Sequence, residues 1–191
     1  MGLMETLQRM TAEEYLTLPE RGDGPRTQLV DGEVVVMHDP TWLHNTVQSG
    51  LFFALSLWVN AAPERGAVGL PLDVLLDERN VFSPDVVWYA HGRVPGLHDP
   101  RPYPMPHIAI EVRSPSTWRF NLGAKKTGYE RCGLRELWLA DTAANALLVF
   151  RRSSPRQERF DIALELGPGD VLRSPLLAGL ELPLADLFSD A

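Results

Sequence analysis

The run His107-Ile108-Ala109-Ile110-Glu111-Val112-Arg113 constrains this chain more than any other stretch. It is apolar enough to be a central strand, yet a carboxylate sits within it. Side chains alternate faces along a strand, so Ile108, Ile110 and Val112 share one side while Ala109, Glu111 and Arg113 share the other. A buried carboxylate is costly unless it is paired, hydrogen-bonded or bound to a cation. The bland solution is a Glu111–Arg113 pair at a sheet margin. The sharper one needs a second acid nearby. Ser83-Pro84-Asp85-Val86-Val87-Trp88-Tyr89 offers it: Asp85 opens an apolar strand, on the same face as Val87 and Tyr89 and opposite Val86 and Trp88. Pro-Asp alone is ordinary turn chemistry at a strand entry. If the two strands are neighbours, Asp85 and Glu111 converge, and two carboxylates with waters and a phosphate make a normal Mg²⁺ shell.

The remaining pattern is that of an α/β chain with a mixed sheet flanked by helices, preceded by an N-terminal helix and hairpin, all in one domain over residues 1–191. Thr11-Ala12-Glu13-Glu14 is a capping box for a short helix through Leu18, stopped by Pro19. Glu20 to Arg26 is Gly/Pro-rich loop. Thr27 to Met37 is a hairpin turning at Asp31-Gly32. Leu43, Val47, Leu51, Leu55 and Trp58 recur at helical spacing, predicting a long helix that ends before Pro63. Strands are expected over Ala67 to Leu76, Pro84 to Tyr89, His107 to Arg113, Glu136 to Asp141, Ala146 to Arg151 and Phe160 to Glu165, with a helix over Asn121 to Cys132. Lys125 and Tyr129 are four apart and share a helical face that can look back at the carboxylates; the ordinary fate of Lys125-Lys126 is a solvated surface. Ser114-Pro115-Ser116-Thr117 supplies a turn and a helix cap.

Charge and cysteine usage narrow the function classes. A net charge of −7 argues against a protein that coats nucleic acid by bulk electrostatics. It leaves room for a metal-dependent nuclease, because clustered carboxylates lower the net charge and a bound divalent ion restores positive charge locally. Cys132 is the only cysteine, so an internal disulfide and a cysteine-based zinc site are both excluded. The five histidines show no zinc-type spacing. No membrane span or secretory signal is visible, and the loose myristoylation match at Met1-Gly2 is taken as chance, so the expected location is the cytoplasm. There is no P-loop, dinucleotide fingerprint or nucleophile elbow.

Several strings in order are distinctive: Gln28-Leu29-Val30-Asp31-Gly32-Glu33, His44 at the head of a long helix, Pro84-Asp85-Val86, Ile110-Glu111-Val112-Arg113-Ser114-Pro115-Ser116-Thr117, Lys125-x-x-x-Tyr129, and Gly133-Leu134-Arg135-Glu136-Leu137-Trp138-Leu139-Ala140-Asp141. From about Thr11 to Arg151 this order resembles the Uma-two family of restriction-endonuclease-like proteins. The resemblance implies a PD-(D/E)XK core and metal ligands at Asp85 and Glu111. It implies Lys125 in place of the lysine that other members of the superfamily carry two residues after the Glu, where this chain has Arg113. Arginine stabilises charge but is no base at neutral pH. Tyr129, His44 and Glu33 are supporting candidates; the simpler fates are a surface or capping role for His44 and an exposed strand acid for Glu33. Where the family helix usually opens with Asp, this chain has Asn121, which brings no charge.

The leading expectation is therefore a DNA phosphodiesterase dependent on Mg²⁺ or Mn²⁺, with Asp85, Glu111 and the Val112 carbonyl as ligands. Lys125 would stabilise charge, and Tyr129 and His44 would position substrate. The alternative is a nuclease fold kept as a binding or assembly module with little catalysis, motivated by the acidic charge, Arg113 and Asn121. A hydrolase of a non-nucleic phosphoester would use the same site. Trp42, Trp88, Trp118 and Trp138 exceed what one small core needs, which makes a homodimer or larger homo-oligomer plausible.

Overall fold

A computed structural model describes residues 9–18, 25–114, 118 and 121–188. The stop at Pro19, the loop over 20–24 and the Pro115-Ser116-Thr117 string lie outside the described residues. The chain opens with α1 (Ala12–Leu16), where the Thr11 side chain accepts from the Glu14 N–H and the Glu14 carboxylate accepts from the Thr11 N–H, the reciprocal capping box. The hairpin β1 (Thr27–Val30) and β2 (Glu33–Val36) turns at Asp31 and Gly32, with φ of 50° and 79°. Both values are positive, which a two-residue turn between twisted strands demands and which an Asp-Gly pair supplies. A Cβ on Gly32 would also lie 2.7 Å from Arg9 Cβ, so the chain entering α1 passes where only glycine leaves room.

Helix α2 (Trp42–Asn60) follows, its N-terminus capped by the Thr41 hydroxyl, which accepts from the His44 N–H at 3.2 Å. Val47, Leu51 and Leu55 are fully buried on its inner face. Burying each contributes about 1.5–3 kcal/mol relative to exposure.

The expected strand over Ala67 to Leu76 is two strands in different sheets: β3 (Ala67–Gly69) and β4 (Val74–Asp77). Pro71 lies between them and has no N–H for a ladder, so the apolar run breaks there. The sequence reading also passed over β5 (Asn80–Phe82), which pairs with β4 and β1 and completes a four-stranded sheet in the order β2-β1-β5-β4.

The principal sheet has six strands. To β3 it adds β6 (Val86–Tyr89), β7 (Ile108–Val112), β8 (Glu136–Asp141), β9 (Ala146–Arg151) and β10 (Ile162–Leu166), in the order β10-β9-β8-β7-β6-β3. β7 and β8 are parallel and the other pairs antiparallel, so the sheet is mixed as expected. A parallel pair needs a crossover. Here the crossover carries a π-helical turn, Asn121–Lys125, leading into α3 (Lys126–Arg131). The expected helix is in place, but its first turn is π rather than α.

The alternation along β7 separates the two faces. Ile108, Ile110 and Val112 join Val86, Trp88, Trp138 and the inner face of α2 in one core. Ala109 faces the other way, into a cluster with Val30, Phe82, Tyr129, Leu137 and Leu139. The small sheet is therefore seated on the side of the principal sheet to which Glu111 belongs. A short ladder of β11 (Val171–Leu172) and β12 (Leu182–Pro183), then α4 (Ala185–Phe188), pack Leu172, Leu182, Leu187 and Phe188 into the α2 core. Of the tryptophans, Trp88 and Trp138 are core while Trp42 is 86% exposed. No helix among the described residues is long and apolar enough to cross a membrane.

Candidate active site

β6 and β7 pair in the register Val86↔Ile110, which puts Asp85 beside Glu111 and Val112 at the end of the ladder. The Asp85 N–H donates to the Ile110 carbonyl at 2.9 Å, and the Val112 N–H donates to Asp85 Oδ2 at 2.7 Å. The carboxylate thus takes the acceptor role of a ladder carbonyl and is fixed by backbone. Its other oxygen, Oδ1, lies 3.3 Å from His44 Nε2. The Gln48 amide, one helical turn beyond His44, donates to the Asp85 carbonyl at 2.8 Å. The first turns of α2 therefore hold Asp85 by both its side chain and its backbone.

Glu111 is buried on the opposite side of β7 from the α2 core. Its Oε1 meets the Lys125 ammonium in an ion pair and accepts from the Tyr129 hydroxyl at 2.9 Å. The four-residue spacing delivers both groups to one oxygen, and the π-turn carries Lys125 into full burial instead of onto a solvated surface. Neighbouring Lys126 instead lies over the Phe150 ring, 4.6 Å from its centroid.

Burial pushes the Glu111 carboxyl above the usual carboxylate range, with the Asp85 charge adding to the effect and Lys125 and Tyr129 opposing it. Burial alone would lower His44, but its hydrogen bond to Asp85 and the charges of Asp85 and Glu111 outweigh that and raise it. The Tyr129 hydroxyl is driven well above its ordinary value by burial and by the Glu111 charge.

Asp85, Glu111, Lys125 and His44 line one hollow together with Gln28 and Gln48, while Tyr129 lies buried behind Glu111. Val112 and Ser114 also line it. Three sequence candidates are placed differently. Arg113 is not paired with Glu111: its Nη1 donates to Asp141 Oδ1 at 2.7 Å and its guanidinium lies 5.3 Å from the Trp118 ring. Glu33 is exposed at the start of β2 and does not line the hollow. Asn121 is buried in the π-turn, and among the described residues neither polar atom of its amide has a hydrogen-bond partner. Gln28 and Gln48 were not singled out from sequence. A signal existed for Gln48, four residues after His44 on one helical face.

Among the described residues no group of three or more histidine, cysteine, aspartate or glutamate side chains gathers to hold a metal ion. The donors at the strand ends are the Asp85 and Glu111 carboxylates and backbone carbonyls. That all-oxygen set fits a hard ion such as Mg²⁺, which keeps several waters and takes one or two carboxylates from the protein.

A mixed sheet with helices against it, and two acids, a lysine and a tyrosine gathered at the mouth of its central strands, has the layout of a restriction-endonuclease-like core. A family model described as "Putative restriction endonuclease" matches residues 12–185, and the chain belongs to that family, Uma2. The crystal structure of a "putative nuclease" from Anabaena variabilis superposes with a TM-score of 0.78 at 22% identity, covering 94% of this chain and 98% of that one. At that identity the likeness is one of fold. No curated protein matches the sequence.

Proposed function

We propose that the chain is a divalent-metal-dependent phosphodiesterase acting on DNA. One observation carries the reading: Asp85, Glu111 and Lys125 open on a single hollow, with Lys125 and Tyr129 both engaged on Glu111 Oε1. Membership of the Uma2 family supports it. Asp85 and Glu111 would hold Mg²⁺ or Mn²⁺, with the Val112 carbonyl a further ligand. Such an ion supplies acidification of water and neutralisation of charge at phosphorus.

The chain's own residues do the rest. Asp85 is fixed by the Val112 N–H and by His44, so its position is set before any ligand enters. Lys125 places a positive charge where the phosphoryl oxygens gain negative charge, which is worth more in a buried site than in water. Tyr129 holds Glu111 in one rotamer through its hydroxyl. His44, in contact with Asp85, holds its proton to higher pH than an ordinary imidazole. Arg113, tied to Asp141, takes no part.

The test is cleavage of plasmid and single-stranded DNA with Mg²⁺ or Mn²⁺, with Glu111→Ala as control, beside calorimetric titration of Mn²⁺. Metal-dependent cleavage and Mn²⁺ binding, both lost in the variant, are expected. No cleavage with either ion, or equal cleavage by the variant, overturns the reading and leaves that of a binding module.

A further inference from the structure

Gln28 is 1% exposed, and among the described residues neither its Oε1 nor its Nε2 has a hydrogen-bond partner. A buried amide left unsatisfied is destabilising, so an orphaned carboxamide calls for an explanation. Its place in the fold supplies one. Alternation along β1 sends Leu29 toward Ala12, Tyr15 and Val81, and Val30 toward Ala109, Phe82 and Tyr129. Gln28, two residues before Val30, shares its face and points at the side of the principal sheet to which Ala109 and Glu111 belong. It lines the same hollow as Asp85, Glu111, Lys125 and His44.

Of the other polar groups there, those nearest the strand ends are already engaged. Asp85 holds the Val112 N–H and His44, Glu111 holds Lys125 and Tyr129, and Gln48 holds the Asp85 carbonyl. Gln28 offers a free donor and a free acceptor at one spot. An apolar ligand satisfies neither. A phosphate diester oxygen accepts but does not donate, so it satisfies Nε2 alone. A water lying against that diester donates to Oε1 and completes the pair.

We propose that Gln28 is a positioning residue of this hollow: Nε2 donates to a non-bridging oxygen of a bound phosphodiester, and Oε1 accepts from the water held against it. The assignment rests on the phosphodiesterase reading. The carboxamide takes no proton. It orients, and it does so from the small sheet, so the hollow is completed only when β1 is seated on the principal sheet.

The experiment pairs two readouts on the full chain. The Gln28 side-chain amide resonances, identified by their loss in Gln28→Leu, are followed during titration with Mg²⁺ and dimethyl phosphate, a diester that resists hydrolysis. DNA cleavage is measured in parallel for wild type, Gln28→Leu and Glu111→Ala. The expected results are a saturable shift of the Gln28 amide, a fall of about 100-fold in kcat for Gln28→Leu with KM little changed, and a Tm for that variant at or above wild type, since an apolar side chain of similar size removes the orphaned groups. A Gln28 amide indifferent to the diester while wild type cleaves DNA in a Glu111-dependent way overturns the proposal and leaves the phosphodiesterase reading intact. A shifted amide with no cleavage by any form keeps Gln28 as a phosphodiester contact and overturns the nuclease. A Gln28→Leu protein with wild-type kcat, or one that loses activity only in proportion to a lowered Tm, overturns the positioning role.

Discussion

Lys125 Nζ and Glu111 Oε1 form an ion pair whose side chains are 1% and 3% exposed. A pair so deeply buried gains little net stability, because each charge has lost its water, but removing one partner strands the other. Lys125→Met is expected to lower unfolding stability by about 3–5 kcal/mol. Lys125→Met with Glu111→Leu should recover most of that loss. Urea midpoints for the two variants decide it, and a single variant as stable as wild type contradicts a buried, charged Glu111.

Tyr129 contributes two separable parts. Its ring packs edge-on to Phe82 with centroids 5.1 Å apart, and its hydroxyl donates to Glu111. Tyr129→Phe keeps the ring and is expected to cost about 1.5–3 kcal/mol, the range for a hydrogen bond to a charged group. Tyr129→Ala should cost about 3–5 kcal/mol through the cavity it leaves. Calorimetric unfolding of the two variants separates the contributions.

Asp85 serves the strand pair and the hollow at once. An asparagine oxygen still accepts from the Val112 N–H, so Asp85→Asn should stay within about 1 kcal/mol of wild-type stability. The same change removes the negative charge, so Mn²⁺ binding by calorimetry should weaken at least tenfold, a loss of about 1.4 kcal/mol. An Asp85→Asn protein that binds Mn²⁺ like wild type excludes Asp85 as a ligand.

Glu136 predicts a pH dependence away from the hollow. It accepts from Trp138 Nε1 at 2.9 Å and from Ser174 Oγ at 2.8 Å, and Arg151 Nε lies 3.7 Å away. Burial raises its pKa above 4.5 despite these partners. A carboxyl that titrates higher in the folded state holds more protons there than in the unfolded chain, so stability falls as pH rises from 4.5 through the folded pKa. Glu111 acts in the same direction. Glu136→Gln should flatten the decline measured by urea midpoints between weakly acidic and neutral pH, and an unchanged slope would count against the raised pKa.

Much of the site was legible because it obeys two short periods. Alternation gave the faces of Asp85 and Glu111, though not that their strands are neighbours, and the four-residue spacing put Lys125 and Tyr129 on one side of a helix. What stayed hidden depends on pairings between distant segments. Glu111 and Arg113 are neighbours on one face, so a mutual pair looked natural; each instead takes a partner from another element, Lys125 and Asp141. His44 was a supporting candidate with a capping role as its simpler fate; the Thr41 hydroxyl caps α2 and His44 reaches Asp85, a partner the sequence did not name. The run from Ala67 to Leu76 is mostly apolar, and Pro71 and Asp73 within it mark the break between two sheets that the hydropathy pattern overrode. Gln28 opens one of the distinctive strings but was given no role, because a glutamine in a strand is ordinary until its surroundings among the described residues prove to hold no partner for it.

The strands β6 and β7 run antiparallel, and the segment 90–107 that joins them leaves from Tyr89 and returns at Ile108. Asp85, Glu111 and Val112 lie at the far end of the ladder. Insertions or deletions in that exposed connection, around Leu97, should leave the chemistry in place, whereas one residue gained or lost between Ile108 and Glu111 would turn the acid into the apolar core beneath α2. The exposed stretch around Leu97 can therefore vary in length without reaching the acids, whereas the spacing along β7 cannot.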